Sequence, residues 1–578
     1  MNDKTRQKVD RIIGRMTLEQ KVGGCFMMDF EGTVAGPYTR EMIERFHIAG
    51  LRVETGCRGK VSYIRDASDT RALLYRERTD RAPRGHIRDF KHHAAPKVSP
   101  AGYARTLNAL RKCSMERPLG IPVHFTMDQE GNGTENLALG DIRCFPPAMG
   151  LTATDDLDLV ERVAEANAMQ LRAVGINWLH SPVLDVNTDP ENPEIGVRAY
   201  SNDPDRVAEY ACATMRGYRK HNIVTTGKHF PGRGESKEDA HDVCPLVDLP
   251  LDELMETHVK PYRALIEAGI PAIMIAHSVY PALDDSGLPA TISKRIVTGL
   301  LREELGFDGV ITTDNLFMRG MVERYGLAES CILSLLAGQD LLLFRNDDAM
   351  CEEVFNEVLE AARSGRLPEE RLDEANRRIL GVKHEYGLFD GDALVDPERA
   401  AAPQQDKIVL RTEIEAAEKA TQLRNTADLI PLAPDTKVLL VEMIHTTHLN
   451  LNNENCHPQI FWELLQEFGP NIYGVELKKN DEQARARIMR RLPEADVLIL
   501  TVWKGHRAGR RTDDLIDFLK ETGKPLMIVT DSPYLAQGIT RDHDTVVNVF
   551  SGNPESLRVA GKIIFGRAEA MGVSPIRA

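Results

Sequence analysis

The sequence predicts a (β/α)8 barrel followed by a smaller doubly wound α/β sandwich, and three observations carry that prediction. Short apolar runs alternate with helical patterns up to about residue 388, a break rich in Asp, Ala and Pro follows, and a second alternating block closes the chain. At 578 residues the chain exceeds one ordinary core and suits two or three domains. Its 42% hydrophobic and 28% charged residues exclude disordered, collagenous and membrane-spanning classes.

The elements follow in order. The opening segment MNDKTRQKVDRIIGRMTLEQKV has neither the apolar core nor the small-residue cleavage site of a signal peptide. It reads as an amphipathic helix, and the protein is expected to be cytoplasmic. Apolar runs then recur at 24–28, 49–53, 122–128, 176–180, 223–228, 272–276, 309–314 and 340–344. Helical patterns at 101–112, 157–174, 205–220, 251–267, 294–304 and 329–336 lie between them. Eight strands alternating with helices fit a closed barrel better than an open sheet. Asp128, His180, Lys228 and Asp314 end their runs, and His277 lies just past the sixth. One Asp at a strand end is as readily a helix cap, but five ionisable residues on one rim read as a site, because such barrels work at the carboxyl ends of their strands.

Residues 1–388 are therefore expected to form the barrel, with an insertion at 58–97. Residues 389–430 read as a linker with a connecting helix at 410–422, and 431–578 as the second domain. Its strands are expected at 437–441, 473–475, 497–502, 526–530 and 546–550. No G-x-G-x-x-G follows the first of them and no P-loop is present, so nucleotide binding has no support. The insertion carries eleven Lys or Arg against five Asp or Glu, with His86, His92 and His93, and is either a solvated or subunit-joining loop or part of the catalytic face. Loops 445–457 and 503–511 lie at strand ends of the second domain and either reach the cleft or stay solvated; the latter carries five Lys, Arg or His beside Trp503, which suits an anionic aglycone or simply a basic loop balancing an acidic protein.

Charge and cysteines narrow the partners. With 72 basic and 87 acidic residues the net charge is -15, which disfavours nucleic acid and anionic membranes. The nine cysteines are scattered, with no C-x-x-C and no zinc spacing, so reduced thiols and no metal are expected.

The most specific stretch is KHFPGRGESKEDAH at 228–241. It leaves a strand on a Lys-His pair, turns through Pro and Gly, and presents Asp239 and His241. Asp-x-His in such a loop suggests a carboxylate that orients an imidazole for general acid/base work.

These residues bring out a resemblance. The chain resembles glycoside hydrolase family 3, in its β-N-acetylhexosaminidase branch, which has the strand-end K-H-F-P-G-x-G followed by D-x-H. GVITTDNLFM at 309–318 is similar to that branch's nucleophile segment. MTLEQKVG (16–23), MDQEG (127–131), PVLDVN (182–187), NPEIGVRAYSNDP (192–204) and AHSVYPALD (276–284) also match, as do ADVLILTV (495–502), GKPLMIVTDSPY (523–534) and GKIIFG (561–566). The likeness spans nearly the whole chain except the insertion.

The resemblance implies a retaining exo-β-N-acetylglucosaminidase acting on terminal N-acetylhexosamine, in cell-wall fragment recycling or chito-oligosaccharide breakdown. A homo-oligomer joined through the insertion at 58–97 is one arrangement the sequence allows. Asp314 would be the nucleophile, His241 the acid/base and Asp239 its orienting partner. Asp128, Arg198, Lys228, His229 and His277 would bind the sugar or stand beside it, with no metal or organic cofactor. Glu130 and Asp185 are expected to be structural rim residues and Trp178 a core residue. Two departures stand near the expected pocket: DQEGNGTEN (128–136) lacks the branch's usual basic residue, and Arg233 stands where a His is common. Phosphorolysis of the same bond, another glycone, or an idle sugar-binding protein are the alternatives.

Overall fold

A computed structural model describes residues 3–577, except 34, 36, 55–97, 132–133, 136, 138–141, 242, 345–348, 391–392, 444–459, 478–479, 504–508 and 540–541. The expected insertion at 58–97, the loop 445–457 and residues 504–508 of the loop 503–511 thus lie outside the described residues.

The first sheet has eight parallel strands: β1 (Phe26–Glu31), β2 (Gly50–Glu54), β3 (His124–Met127), β4 (Trp178–Leu179), β5 (Val224–Phe230), β6 (Ala272–Ile275), β7 (Val310–Thr313) and β8 (Leu342–Phe344). They run in the order β8-β1-β2-β3-β4-β5-β6-β7. A bridge from Thr312 to Leu341 brings the two edges together, so the sheet is a nearly closed barrel. Helices cover it because their apolar faces demand it. The helix Leu157–Val174, for example, is started by the Asp156 carboxylate accepting from the Leu159 N–H at 2.9 Å. It is stopped by Gly175 at φ 102°. The pattern at 251–267 is broken, however, into Leu251–Glu253, a π-turn at Leu254–His258 and Lys260–Glu267. Pro261 has no N–H to continue the ladder, which accounts for the interruption.

Side chains, not a pore, fill the barrel. Met27, Trp178, Val224, Met274 and Leu343 pack with Ile379 and Val382 of the helix Glu369–Glu385, which closes the amino end. Trp178 is a core residue, as its place within an apolar run implies, with its indole N–H donating to Thr226 Oγ1 at 2.8 Å.

The second sheet comprises β9 (Gln422–Asn425), β10 (Val438–Met443), β11 (Ile472–Leu477), β12 (Val497–Val502), β13 (Leu526–Thr530) and β14 (Thr545–Asn548). The order is β9-β14-β13-β12-β10-β11, parallel except for β9, with an apolar layer on each face. The sheet thus has six strands where the sequence suggests five. β9 reads Gln-Leu-Arg-Asn and has no apolar alternation. It is held by pairing with β14 and by a hydrogen bond from Asn548 Nδ2 to Gln422 Oε1 at 2.8 Å. Among the described residues no helix is long and apolar enough to cross a membrane.

The two sheets meet through a small apolar cluster. Met149, Ile195 and Ala199 of the barrel pack with Tyr534, Phe550 and Ile576. Beside it, Asn187 Nδ2 donates to the Tyr534 hydroxyl at 2.6 Å, and Ser201 Oγ donates to the Pro575 carbonyl at 2.6 Å.

Candidate active site

The carboxyl ends of β2, β3 and β5 converge on one buried chain of opposite charges. Asp128, just past β3, takes Lys228 Nζ on Oδ1 at 2.8 Å and Arg52 Nη2 on Oδ2 at 2.9 Å. Lys228 Nζ also reaches Glu130 Oε1 at 2.5 Å, and Glu130 is gripped by Arg198 through Nε at 2.7 Å and Nη2 at 3.2 Å. Burial pushes the Asp128 carboxyl up, but Lys228 and Arg52 outweigh it and hold the group well below the usual carboxylate range. Glu130 is likewise brought down to about 2, against burial, by Arg198 and Lys228. His180 stands 3.8 Å from Asp128 and is driven down to about 4 by its own burial, so it is a neutral member of the rim.

Asp314 follows β7, with its carboxylate 15% exposed. Its Oδ1 accepts the Asn315 N–H at 2.7 Å, while Oδ2 faces Arg233 Nη2 at 3.7 Å and His229 Nε2 at 4.0 Å. Burial raises its pKa; His229, Arg233 and His277 more than reverse that, so the group stays ionised far below the ordinary range. His229 is aimed by Asp185, whose Oδ2 lies 2.7 Å from Nδ1 and whose Oδ1 accepts the Arg233 N–H at 2.8 Å. His277 takes a different position: Nε2–H donates to the Asn315 carbonyl at 3.0 Å, and Nδ1 pairs with the Thr291 hydroxyl at 2.6 Å. It fixes the backbone after Asp314.

Asp239 and His241 lie on the loop after β5. Asp239 Oδ1 accepts the His241 N–H at 2.9 Å and faces its Nδ1 at 2.8 Å, which leaves Nε2 as the nitrogen able to deliver a proton. The imidazole side chain is 56% exposed. Burial pulls its pKa down, but the Asp239 hydrogen bond and the charge of Glu194 prevail and raise it. Glu194 is buried 3.6 Å from Nδ1 and accepts from Arg233 Nη2 at 2.7 Å. The donor atoms of Glu194, Asp239 and His241 lie within 4.8 Å of one another. Arg233 and the Ala240 N–H already engage the Glu194 oxygens, so the trio reads as a hydrogen-bonded cluster and not a cation site.

All eight residues expected from the sequence thus fall on one rim. Asp128, Lys228 and Arg198 share the first network; His229 and His277 flank Asp314; and Asp239 holds His241. Arg198 Nη1, 3.7 Å from Glu194, joins the first group to the last. Glu130 and Asp185 are buried partners within the network, in line with a rim role. Two members escape sequence reading. Arg52 lies inside an apolar run, and a lone cation in the fully buried pattern of β2 is the signal that marks it. Glu194 stands within NPEIGVRAY, where nothing in the spacing singles it out.

A parallel barrel that gathers an ionised aspartate at the end of β7 and an Asp-held imidazole after β5 on its carboxyl rim defines a class, the (β/α)8-barrel enzymes. Residues 97–382 match the family described as glycosyl hydrolase family 3 N terminal domain. The chain is 33% identical over 239 residues to a beta-hexosaminidase of Methylobacillus flagellatus, covering 40% of this chain and 67% of that one. It is 29% identical over 403 residues to beta-hexosaminidase A of Pseudoalteromonas piscicida, covering 65% of this chain and 66% of that one, just under two thirds of the relative's length. The solved structure of a glycoside hydrolase family 3 beta-N-acetylglucosaminidase from Paenibacillus sp. str. FPU-7 superposes with a TM-score of 0.80 at 26% identity, over 97% of this chain and 99% of that one. The chain belongs to glycoside hydrolase family 3.

Proposed function

We propose that the protein is a retaining exo-β-N-acetylglucosaminidase, releasing terminal β-linked N-acetylhexosamine from cell-wall fragments or chito-oligosaccharides in the cytoplasm. The observation that carries this reading is Asp314, ionised beside the Arg233 guanidinium and sharing a rim with a histidine whose Nδ1 is pinned by a carboxylate.

In this reading Asp314 attacks the anomeric carbon while His241 gives its proton to the leaving oxygen. The glycosyl-aspartate is then resolved by water, from which the now neutral His241 takes a proton, so configuration is retained by two inversions. An imidazole serves both steps because its ordinary pKa already lies near working pH. Asp128 accepts from sugar hydroxyls, and Arg198, Lys228 and His229 donate to others, all held in place by their mutual pairing. The names of the hexosaminidase relatives support the acetamido sugar as glycone.

The test is release of p-nitrophenol from the β-N-acetylglucosaminide and the β-glucoside, with and without phosphate, the sugar being identified by mass. Release from the acetamido sugar alone, as free N-acetylglucosamine, is expected, and Asp314→Asn should abolish it. A sugar 1-phosphate would reassign the enzyme to phosphorolysis, and turnover by Asp314→Asn would refute the mechanism.

A further inference from the structure

Glu194 belongs to the segment after β4, remote in sequence from both reacting groups. It is nonetheless the carboxylate that touches both halves of the machinery. Oε1 takes Arg233 Nη2 at 2.7 Å, and that same nitrogen lies 3.7 Å from Asp314. Oε2 accepts the N–H of Ala240, between Asp239 and His241, at 3.3 Å. Oε1 is also 3.6 Å from His241 Nδ1. Charges therefore alternate along one line: imidazolium, Glu194, Arg233, Asp314.

We infer that Glu194 is a positioning residue that couples the acid/base loop to the nucleophile, holding the loop by its backbone and screening His241 from Arg233. This rests on the roles given above to His241 and Asp314. Arg233 is useful to Asp314 and harmful to His241: a buried cation keeps a carboxylate ionised and disfavours a protonated imidazole. Nε and Nη1 of Arg233 are buried without a hydrogen-bond partner among the described residues, so Glu194 supplies its side chain's one close acceptor. Without the Glu194 charge, the guanidinium would pair with Asp314 alone and repel the imidazolium. The charged groups facing His241 are Asp239, Glu194 and Arg233; Asp242 lies outside the described residues. Burial lowers the His241 pKa and Arg233 lowers it further, whereas Asp239 and Glu194 raise it.

The test is a charge cycle on the full chain, read as the pH dependence of kcat/KM on an aryl β-N-acetylglucosaminide, with melting to check folding. Glu194→Gln should move the alkaline limb down by about half to one pH unit. It should also lower kcat roughly tenfold for a poor leaving group, and less for dinitrophenol, which needs little protonation. Arg233→Gln should move the limb up, and the double variant should return it close to the native position. Glu194→Asp, which keeps the charge with a shorter reach, should leave the limb in place while kcat falls. If Glu194→Gln fails to fold, the upward shift in Arg233→Gln and the unmoved limb with lower kcat in Glu194→Asp carry the test. A limb that stays fixed in Glu194→Gln, or in Arg233→Gln where the former does not fold, overturns the coupling. If His241→Ala or Asp314→Asn keeps native turnover, the underlying reading falls and the coupling with it. If both are inactive while the limb stays fixed, only the coupling falls.

Discussion

At the scale of single residues, His241, the proposed acid/base, shows how a pKa is set by competition. Burial lowers it, while the Asp239 hydrogen bond and Glu194 raise it. The protonated form is the acid, so activity persists below the folded pKa and is lost as pH rises through it. Asp239→Asn should therefore bring the alkaline limb to lower pH. It should also cost about 10²–10⁴-fold in kcat/KM, the range of general acid/base catalysis, because the amide no longer fixes the tautomer. A pH profile of the variant checks both. The residues legible in the sequence were those whose chemistry is local: Asp239 and His241 are two positions apart, and Asp314 ends an apolar run. Arg52 and Glu194 were not, because their meaning comes from partners 76 residues away at Asp128 and 39 away at Arg233. No short window contains such pairs.

At the scale of elements, the loop after β5 owes its place to a close approach. A Cβ on Gly320, near the start of the helix Arg319–Tyr325, would sit 2.4 Å from the Cys244 N and 2.5 Å from the Val243 C. That helix follows β7, the strand that leads into Asp314, and its Arg319 N–H donates to the His241 carbonyl at 3.3 Å. Gly320→Ala should push the loop outward and reduce kcat/KM for poorly activated glycosides, with a smaller loss for dinitrophenyl ones. Equal losses on both would show that the displacement does not reach His241. The helix Lys407–Ala420 carries a different signal. Burial lifts its Glu413, which faces Arg143 at 3.6 Å, to about 7. A carboxyl whose folded pKa is raised stabilises the fold in its protonated form. Stability should thus decline from pH 4.5 towards about 7, and Glu413→Gln should flatten that decline in denaturant titrations. Element identity was readable where apolar periodicity was strong, as in all eight barrel strands. β9 was not readable, because its four mostly polar residues become a strand only through pairing with β14.

At the scale of the whole molecule, the second domain has a task that its own sequence does not advertise. Asn187 Oδ1 accepts the Gly196 N–H at 3.1 Å, and Asn187 Nδ2 meets the Tyr534 hydroxyl at 2.6 Å. Glu194 and Arg198 therefore sit on a segment whose curvature is set partly from outside the barrel. Tyr534→Phe removes a buried hydrogen bond of about 1 kcal/mol, so KM should rise roughly fivefold while kcat changes less. A variant with unchanged KM would mean that the apolar cluster of Ile195, Ala199, Phe550 and Ile576 suffices.

That junction also bears on how the molecule is expected to fail under heat. Loss of the small cluster, of the hydrogen bonds around it (Asn187–Tyr534, Ser201–Pro575, Asn202–Arg577, Val573–Ala153) and of the Arg577–Asp203 ion pair would let the domains part while each sheet keeps its own core. The Glu194–Arg198 segment would then relax, and catalysis would cease before the strands melt. Thermal inactivation is therefore expected to be an undocking event, and activity that survives until the sheets themselves melt in calorimetry would refute this.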